Sequence, residues 1–231
     1  MRSGPGEVRP WSRPVKLRWR IAWLATYPLQ RCLLHLRVVG RDRLGPGPMI
    51  LAANHVSNFD PLIIGMAAAR EVHFLAKDEL FTASRTFAWL IRSWNAWPVK
   101  RGGADASAIR RCSWLLRRSQ TLVLFPEGTR SKTGETARFR PGVGLLSTTN
   151  RTPVVPVCLT GVDNSNVSYW TDRDFVRQGF RRKPVGSTRI TVTFGEPLSP
   201  AGFSSDRRGY IELTQAVEQR VRELAAGSGT T

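Results

Sequence analysis

The sequence lacks a long apolar run. Its longest uncharged stretch near the start, residues 21–30, has ten residues and lies between Arg20 and Arg31, whereas a spanning helix needs about 18 to 20 apolar residues. Basic residues flank this stretch on both sides without an obvious small-residue cleavage site, which disfavours a secretory signal peptide. We therefore expect a protein that faces the cytoplasm and meets a membrane, if at all, from the side.

Cysteine and histidine are also scarce. The three cysteines, Cys32, Cys112 and Cys158, are odd in number and widely spaced, so they fit neither a disulfide framework nor a zinc pattern. A reducing compartment is the better expectation. Two of the three histidines, His35 and His73, are isolated in the sequence and make no metal-binding set with the third.

Acidic residues are few, with 17 Asp and Glu against 35 Lys and Arg, for a formal net charge of +18. Such an excess indicates an anionic partner, which composition leaves open as nucleic acid, an anionic membrane surface or phosphorylated substrates. The basic residues are spread along the chain, and no recognition helix, zinc finger or RNP-like pattern is present. A basic protein that binds nucleic acid or a membrane without catalysis is kept as the non-enzyme alternative.

The chain divides into three parts. Residues 1–38 combine a Gly- and Pro-rich basic arm with a helical segment from Lys16 to Leu36, which Pro28 should kink. Residues 1–43 hold ten Lys and Arg against two Asp and Glu, a local net of 10 − 2 = +8. Basic side chains beside Trp and Leu are typical of a helix lying on anionic headgroups, although packing on the domain would give a similar pattern. Residues 39–226 form the predicted globular domain, and 227–231 a loose tail.

The globular part alternates between strand and helix patterns. Strands are predicted at 49–53, 72–76, 96–99, 121–125, 154–159 and 189–194, and helices at 61–69, 79–94, 104–118, 142–148 and 211–225. Asp60 and Pro61 would begin the first of these helices as its N-cap and first residue. Residues 161–188 are polar and basic and predict an irregular insertion. The alternation predicts an α/β fold with a mixed, largely parallel sheet flanked by helices.

Residues 54–60 read Asn-His-Val-Ser-Asn-Phe-Asp and connect a predicted strand with a predicted helix. Ligands bind outside the carboxyl ends of strands in open α/β sheets, so His55 lies where a site is expected. A histidine can take a proton from an alcohol near neutral pH, and a carboxylate such as Asp60 can orient its ring. Read alone, the pair also fits a loop histidine beside a helix cap.

Residues 125–131 read Phe-Pro-Glu-Gly-Thr-Arg-Ser and again follow a predicted strand. Gly128 and Thr129 can offer backbone N–H groups and a hydroxyl, and Arg130 a fork for a phosphate. Glu127 could order that arginine or bind a substrate hydroxyl. An ordinary turn with a surface ion pair is the alternative. Neither a Gly-x-Ser-x-Gly nucleophile elbow nor a phosphate-binding P-loop is found in the sequence.

Together the two segments resemble the glycerolipid acyltransferase family, which includes the bacterial 1-acyl-glycerol-3-phosphate acyltransferases. The resemblance covers about residues 40–200. Asn-His-x4-Asp is present at 54–60 and Phe-Pro-Glu-Gly-Thr-Arg-Ser at 125–131. Val-Val-Pro-Val at 154–157 resembles the family's apolar strand with a central proline, and Phe-Arg-Pro-Gly at 139–142 its Phe-Lys-x-Gly segment. The stretch 94–101 keeps an apolar strand and Arg101 but has no glycine, which leaves the acceptor lipid open.

The resemblance implies a set of roles. His55 is the general base and Asp60 its partner. Acceptor or donor binding is implied for Asn54, Arg101, Glu127, Gly128, Thr129, Arg130 and Pro156, the last on the acyl-donor side. No metal or cofactor is implied, because acyl-CoA or acyl carrier protein is a co-substrate.

The implied reaction acylates a lysophospholipid hydroxyl, by default that of 1-acyl-glycerol 3-phosphate, at the cytoplasmic face of the cell membrane. Another lysolipid or glycerol 3-phosphate stays open as the acceptor.

Overall fold

Seven strands form one sheet in the computed structural model, which describes residues 17, 19–21, 24, 34–82, 84–99, 106–181, 183–184 and 189–227. The strands are β1 (Arg37–Val39), β2 (Met49–Ala53), β3 (Val72–Lys77), β4 (Ala96–Val99), β5 (Thr121–Leu124), β6 (Val154–Thr160) and β7 (Thr191–Phe194). Their order is β1-β7-β6-β2-β5-β3-β4. Neighbouring strands are parallel except β6 and β7. The predicted α/β class with a mixed, largely parallel sheet is confirmed.

Helices cover both faces of this sheet. They are α1 (Asp60–Ala68), α2 (Arg85–Ser93), α3 (Ala106–Arg117), α4 (Gly142–Asn150), α5 (Asn166–Thr171), α6 (Arg173–Arg177) and α7 (Arg207–Gly227). Every residue of β2 is buried, and successive strand residues point to opposite faces. Leu51 accordingly belongs to a core cluster with Ile63 of α1, and Ile50 to a second cluster with Leu213 of α7.

The central position of β2 locates the candidate site. It pairs in parallel with β5 on one side and β6 on the other. Because the carboxyl ends of parallel strands meet at one edge of a sheet, residues 54–60 after β2 and 125–131 after β5 emerge side by side.

Several elements differ from the sequence-based expectations. The helix predicted at 79–94 is two elements, a 3-10 turn at Asp78–Phe81 and then α2. The cause is local, since both the N–H and the hydroxyl of Thr82 donate to the carbonyl of Glu79 and close the turn. The insertion predicted as irregular contains α5 and α6, and β1 was not predicted as a strand.

The N-terminal segment is described in part. Leu17, Trp19–Ile21 and Leu24 are helical, whereas 34–36, the end of the predicted helix, are not. Trp19 is buried, with its ring against Gly65 of α1, while Leu17 and Leu24 are exposed. The rest of the predicted membrane-contacting segment, the basic arm and the tail after Gly227 lie outside the described residues. Across the described part of the chain, no helix is both long and apolar enough to cross a bilayer.

Candidate active site

His55 and Asp60 are in direct contact at the carboxyl end of β2. The imidazole Nδ1 lies 2.8 Å from Oδ2 of Asp60. The carboxylate is fully buried, and the histidine side chain is 12% exposed. The expected N-cap role of Asp60 is wrong, because Asp60 is the first residue of α1 and Phe59 is the N-cap, with no side-chain capping bond. The Asp60 side chain turns back towards the loop that precedes the helix.

That loop contacts one oxygen of the Asp60 carboxylate, Oδ2, while Oδ1 is buried without a hydrogen-bond partner among the described residues. Besides the imidazole, Oδ2 accepts the backbone N–H groups of Val56 and Ser57 at 2.7 and 2.8 Å. With Oδ2 of Asp60 acting as an acceptor in all three contacts, Nδ1 of His55 carries the hydrogen and Nε2 keeps its lone pair. The arrangement prepares Nε2 to take a proton.

The second motif supports the histidine from the neighbouring strand. The ring of Phe125 stacks on the imidazole with centroids 4.1 Å apart. The backbone N–H of His55 donates to Oε1 of Glu127 at 2.9 Å, and its carbonyl accepts the N–H of Ser131 at 2.7 Å. Oε2 of Glu127 accepts the N–H of Ala137 at 3.1 Å. Both oxygens of this buried carboxylate are therefore engaged by backbone groups, and its desolvation raises its pKa despite those bonds.

Asn54 joins the same loop to β6. Its side-chain amide donates to the carbonyl of Leu159 at 3.0 Å, and its carbonyl oxygen accepts the Leu159 N–H at 2.8 Å. The residue is buried. Both functional groups of Asn54 are thus used to fix the start of the His55 loop against the adjacent strand.

Arg130 pairs with two carboxylates that were not predicted as site residues, those of Asp172 and Asp174. Its Nη1 lies 2.7 Å from Oδ1 of fully buried Asp172, and its Nη2 pairs with the half-exposed Asp174. Burial lowers the pKa of the guanidinium, but the bonds and charges of Asp174 and Asp172 outweigh it, and the pKa is raised overall. Asp172 also accepts the backbone N–H of Asn58 at 2.9 Å. The second motif is therefore connected to the first through Asp172.

Arg181, a buried arginine in the 161–188 insertion, contacts both loops of the site. Nη2 of Arg181 donates to the carbonyls of Val56 and Ser131, both at 2.9 Å. Nη1 donates to the carbonyls of Lys132 and Phe180. Arg181 thus holds together the two loops that follow β2 and β5.

The turn at Gly128 and Thr129 is the exposed part of the second motif. Gly128 has φ +75°, and a Cβ built there would lie 2.9 Å from Cζ of Arg140. A side chain would strain the turn and displace that guanidinium. Arg140 therefore lies beside the predicted phosphate-binding turn, a position that the Phe-Arg-Pro-Gly segment did not predict.

Pro156 and Arg101 are the two remaining candidate site residues. Pro156 is buried within β6, opposite Ala52 of β2, and its carbonyl accepts the N–H of Gly195. Arg101 lies outside the described residues. The structure thus brings His55, Asp60 and the 127–130 segment to one edge of the sheet and leaves Pro156 inside the neighbouring strand.

Comparisons with known proteins show which family and fold this chain resembles. The family model described as Acyltransferase matches residues 35–160. A 1-acyl-sn-glycerol-3-phosphate acyltransferase of Bacillus subtilis is 24% identical over 76% of this chain and 80% of its own length. One of Streptococcus pneumoniae is 34% identical over 75% of this chain but only 57% of its own length. The crystal structure of the 1-acyl-sn-glycerophosphate (LPA) acyltransferase PlsC from Thermotoga maritima superposes with a TM-score of 0.59, at 24% identity over 90% of this chain and 77% of that one.

Proposed function

This chain belongs to the acyltransferase family, and we propose that it transfers a fatty acyl group from a thioester donor to the hydroxyl of a lysophospholipid. Both bacterial relatives are named 1-acyl-sn-glycerol-3-phosphate acyltransferases, a name that gives the acceptor lipid. We take the same acceptor for this chain, which makes phosphatidic acid the product. The observation that carries the proposal is the 2.8 Å contact between His55 and buried Asp60 beside the Glu127–Arg130 segment.

In the proposed reaction, Nε2 of His55 removes the proton from the acceptor hydroxyl as its oxygen attacks the thioester carbonyl carbon. Asp60 stabilises the imidazolium that forms, through the bond to Nδ1. When the tetrahedral intermediate collapses, the C–S bond breaks and the thiolate takes the proton from Nε2. The products are the ester and the free thiol of the donor, acyl-CoA or acyl carrier protein, and the enzyme returns to its starting state. No covalent enzyme intermediate, metal or cofactor enters this scheme.

For acceptor binding we propose the exposed turn of Gly128 and Thr129 together with Arg101 and Arg130. Arginine suits phosphate because its planar fork donates two parallel hydrogen bonds. Arg130 would have two roles, because it also pairs with Asp172 and Asp174. Through Asp172, which accepts the N–H of Asn58, it helps to fix the His55 loop. The arginine at 140 contributes positive charge beside the same turn.

The proposed location is the cytoplasmic face of the cell membrane, with the enzyme peripheral or monotopic. The exposed side chains of Leu17, Ile21 and Leu24 support contact with a membrane, since their i, i+4, i+7 spacing puts them on one helical face. Deleting residues 1–36 should release the protein from anionic vesicles if this face carries the membrane affinity. Retained vesicle binding would assign that affinity to another surface.

The activity is tested with purified protein, radiolabelled acyl-CoA or acyl carrier protein, and a panel of lysophosphatidic acid, glycerol 3-phosphate and other lysolipids. We expect phosphatidic acid to form fastest. His55→Ala should abolish transfer, while His73→Ala should retain it, because His73 lies in β3 and bonds Trp97 and Gln120. Full transfer by His55→Ala would refute the mechanism, and a faster reaction with another acceptor would correct the substrate.

A further inference from the structure

Trp170 is an exposed aromatic residue next to Thr171, which contacts the loop that carries His55. The Trp170 side chain, near the end of α5, is 63% exposed. A single exposed apolar residue is ordinary, but exposed aromatic side chains grouped with one another mark an interaction surface. The ring of Tyr169 packs edge-on against that of Trp170, with centroids 5.7 Å apart.

Basic side chains accompany the exposed rings of this region. The guanidinium of Arg173 lies 4.8 Å from the centre of the Trp170 ring and 5.6 Å from that of Tyr169. Beyond α6, the ammonium of Lys132 lies 4.9 Å from the ring of Phe180, which is 40% exposed. Four of these five residues belong to the segment 169–180, and the fifth, Lys132, packs on the ring of Phe180 in that segment; we call the five together the aromatic–basic surface.

Acidic side chains do little to offset this charge. Asp172 is fully buried, and Asp174 pairs with Arg130. Two further exposed basic residues, Arg177 and Lys183, lie in the same segment. The local field is therefore positive, which favours an anionic partner.

The aromatic–basic surface is directly attached to the catalytic loop. Thr171, the residue after Trp170, has its hydroxyl 3.3 Å from that of Ser57, and its carbonyl accepts the side-chain amide of Asn58. The next residue, Asp172, accepts the Asn58 backbone N–H. An object that contacts Trp170 is therefore held close to the loop that carries His55.

We propose that the aromatic–basic surface docks on the headgroup region of an anionic bilayer and sets the active-site loop against it. Trp and Tyr rings with Lys and Arg side chains match the mixed polar and apolar chemistry of that region. This contact involves other residues than the exposed face of Leu17, Ile21 and Leu24. It rests on the proposed function only in that a lipid acceptor resides in a bilayer.

A tryptophan comparison tests direct contact with lipid. Trp114 on α3 is the matched control, since it is 42% exposed and carries Arg118 at 4.2 Å over its ring. Emission spectra of the full chain and of Trp170→Phe and Trp114→Phe are recorded with phosphatidylcholine–phosphatidylglycerol vesicles, with and without brominated acyl chains. The Trp170 contribution, obtained by difference, should shift to the blue and lose intensity to bromine, while the Trp114 contribution stays unchanged.

A binding measurement tests the basic half of the surface. Arg173→Ala should lower the partition coefficient on phosphatidylglycerol vesicles by about fivefold, because one basic residue near an anionic surface contributes about 1 kcal/mol. Arg118→Ala should leave it unchanged. Both experiments contain no substrate, so His55→Ala should behave as the unaltered chain does, and loss of the proposed reaction would not affect them.

Three results would overturn the inference. One is equal bromine quenching of Trp170 and Trp114, and another is an unchanged partition coefficient for Arg173→Ala. The third is a Trp170 emission change on adding acidic acyl carrier protein without lipid, together with none on adding vesicles, which would assign the surface to protein docking.

Discussion

Glu127 holds the backbone of His55, accepting its N–H at 2.9 Å with a carboxylate that is itself buried. The other carboxylate oxygen accepts Ala137 N–H. We expect Glu127→Gln to lower the free energy of unfolding by about 1–3 kcal/mol, because an amide accepts only one of the two N–H groups and its NH2 faces the other. Chemical denaturation measures this loss of unfolding free energy. We also expect kcat of Glu127→Gln to fall, because the His55 loop shifts. Unchanged stability and kcat would remove Glu127 from a supporting role.

The same carboxyl predicts a pH dependence. Burial raises the pKa of Glu127 above its ordinary value, so this group takes up a proton on folding in the interval between its unfolded and folded pKa. Its contribution to stability is full below the unfolded pKa of about 4.3 and declines as pH rises towards the folded value. Glutamine does not titrate. The stability difference between the wild type and Glu127→Gln should therefore be larger at pH 4 than at pH 7, and a difference that grows with pH would contradict the cause given.

Asp60→Asn should separate charge from position in the catalytic pair. The asparagine oxygen can still accept the N–H groups of Val56 and Ser57, but a neutral amide cannot stabilise an imidazolium at His55. We expect kcat to fall by about 10³ to 10⁴ with little change in acceptor KM. Steady-state kinetics over a range of pH check this, with the exposed Asp42→Asn as control. A rise in KM alone would mean that Asp60 binds substrate instead.

Asp172 and Asp174 both pair with the guanidinium of Arg130 but differ in burial. Asp172 is fully buried and also binds Asn58, whereas the Asp174 side chain is 50% exposed. Asp172→Asn should cost about 1.5–3 kcal/mol of unfolding free energy, since it weakens buried bonds that involve a charge. Asp174→Asn should cost less than about 1 kcal/mol, as for other exposed pairs. Thermal or urea unfolding of both variants measures the difference, and equal losses would contradict the role of burial.

Arg181 should couple the two loops. Arg181→Met leaves the carbonyls of Val56 and Ser131 without their donor, at a cost of about 1–3 kcal/mol for each buried group. Arg181→Lys keeps one charged donor and should recover part of both stability and kcat, measured at a temperature where each variant is folded. The exposed Arg177→Met is the control. Full activity in the methionine variant would show that the loops hold their positions without this link.

Six of the seven strands in the described residues could be predicted from the local pattern, and β1 could not. Met49–Ala53 and Ala96–Val99 were predicted with their observed bounds, because continuous apolar runs between turn residues fix both length and type. The prediction of one helix at 79–94 is wrong at Thr82, where the side-chain hydroxyl donates to the backbone carbonyl of Glu79. Such a bond depends on a single rotamer and leaves no trace in hydrophobic periodicity.

The catalytic pair of the candidate site could be predicted from the sequence, but the residues that hold its loops in place could not. His55 and Asp60 are five positions apart, within reach of local reasoning. Asp172 bonds to Asn58 across 114 positions, and Arg181 to Val56 across 125. No spacing rule connects residues so far apart, because their meeting depends on the order of strands in the sheet. Both lie in the insertion that composition described only as polar and basic.

The backbone amides of the first motif have a consequence for exchange with solvent hydrogen. His55 donates its N–H to Glu127, Val56 and Ser57 donate theirs to Asp60, and Asn58 donates to Asp172. Protected amides exchange only when their bonds open. This irregular loop should therefore exchange deuterium as slowly as strand β2 in mass-spectrometric or NMR measurements. The acceptor hydroxyl would then meet a catalytic base that is already ordered, and binding would carry no entropic cost of arranging it.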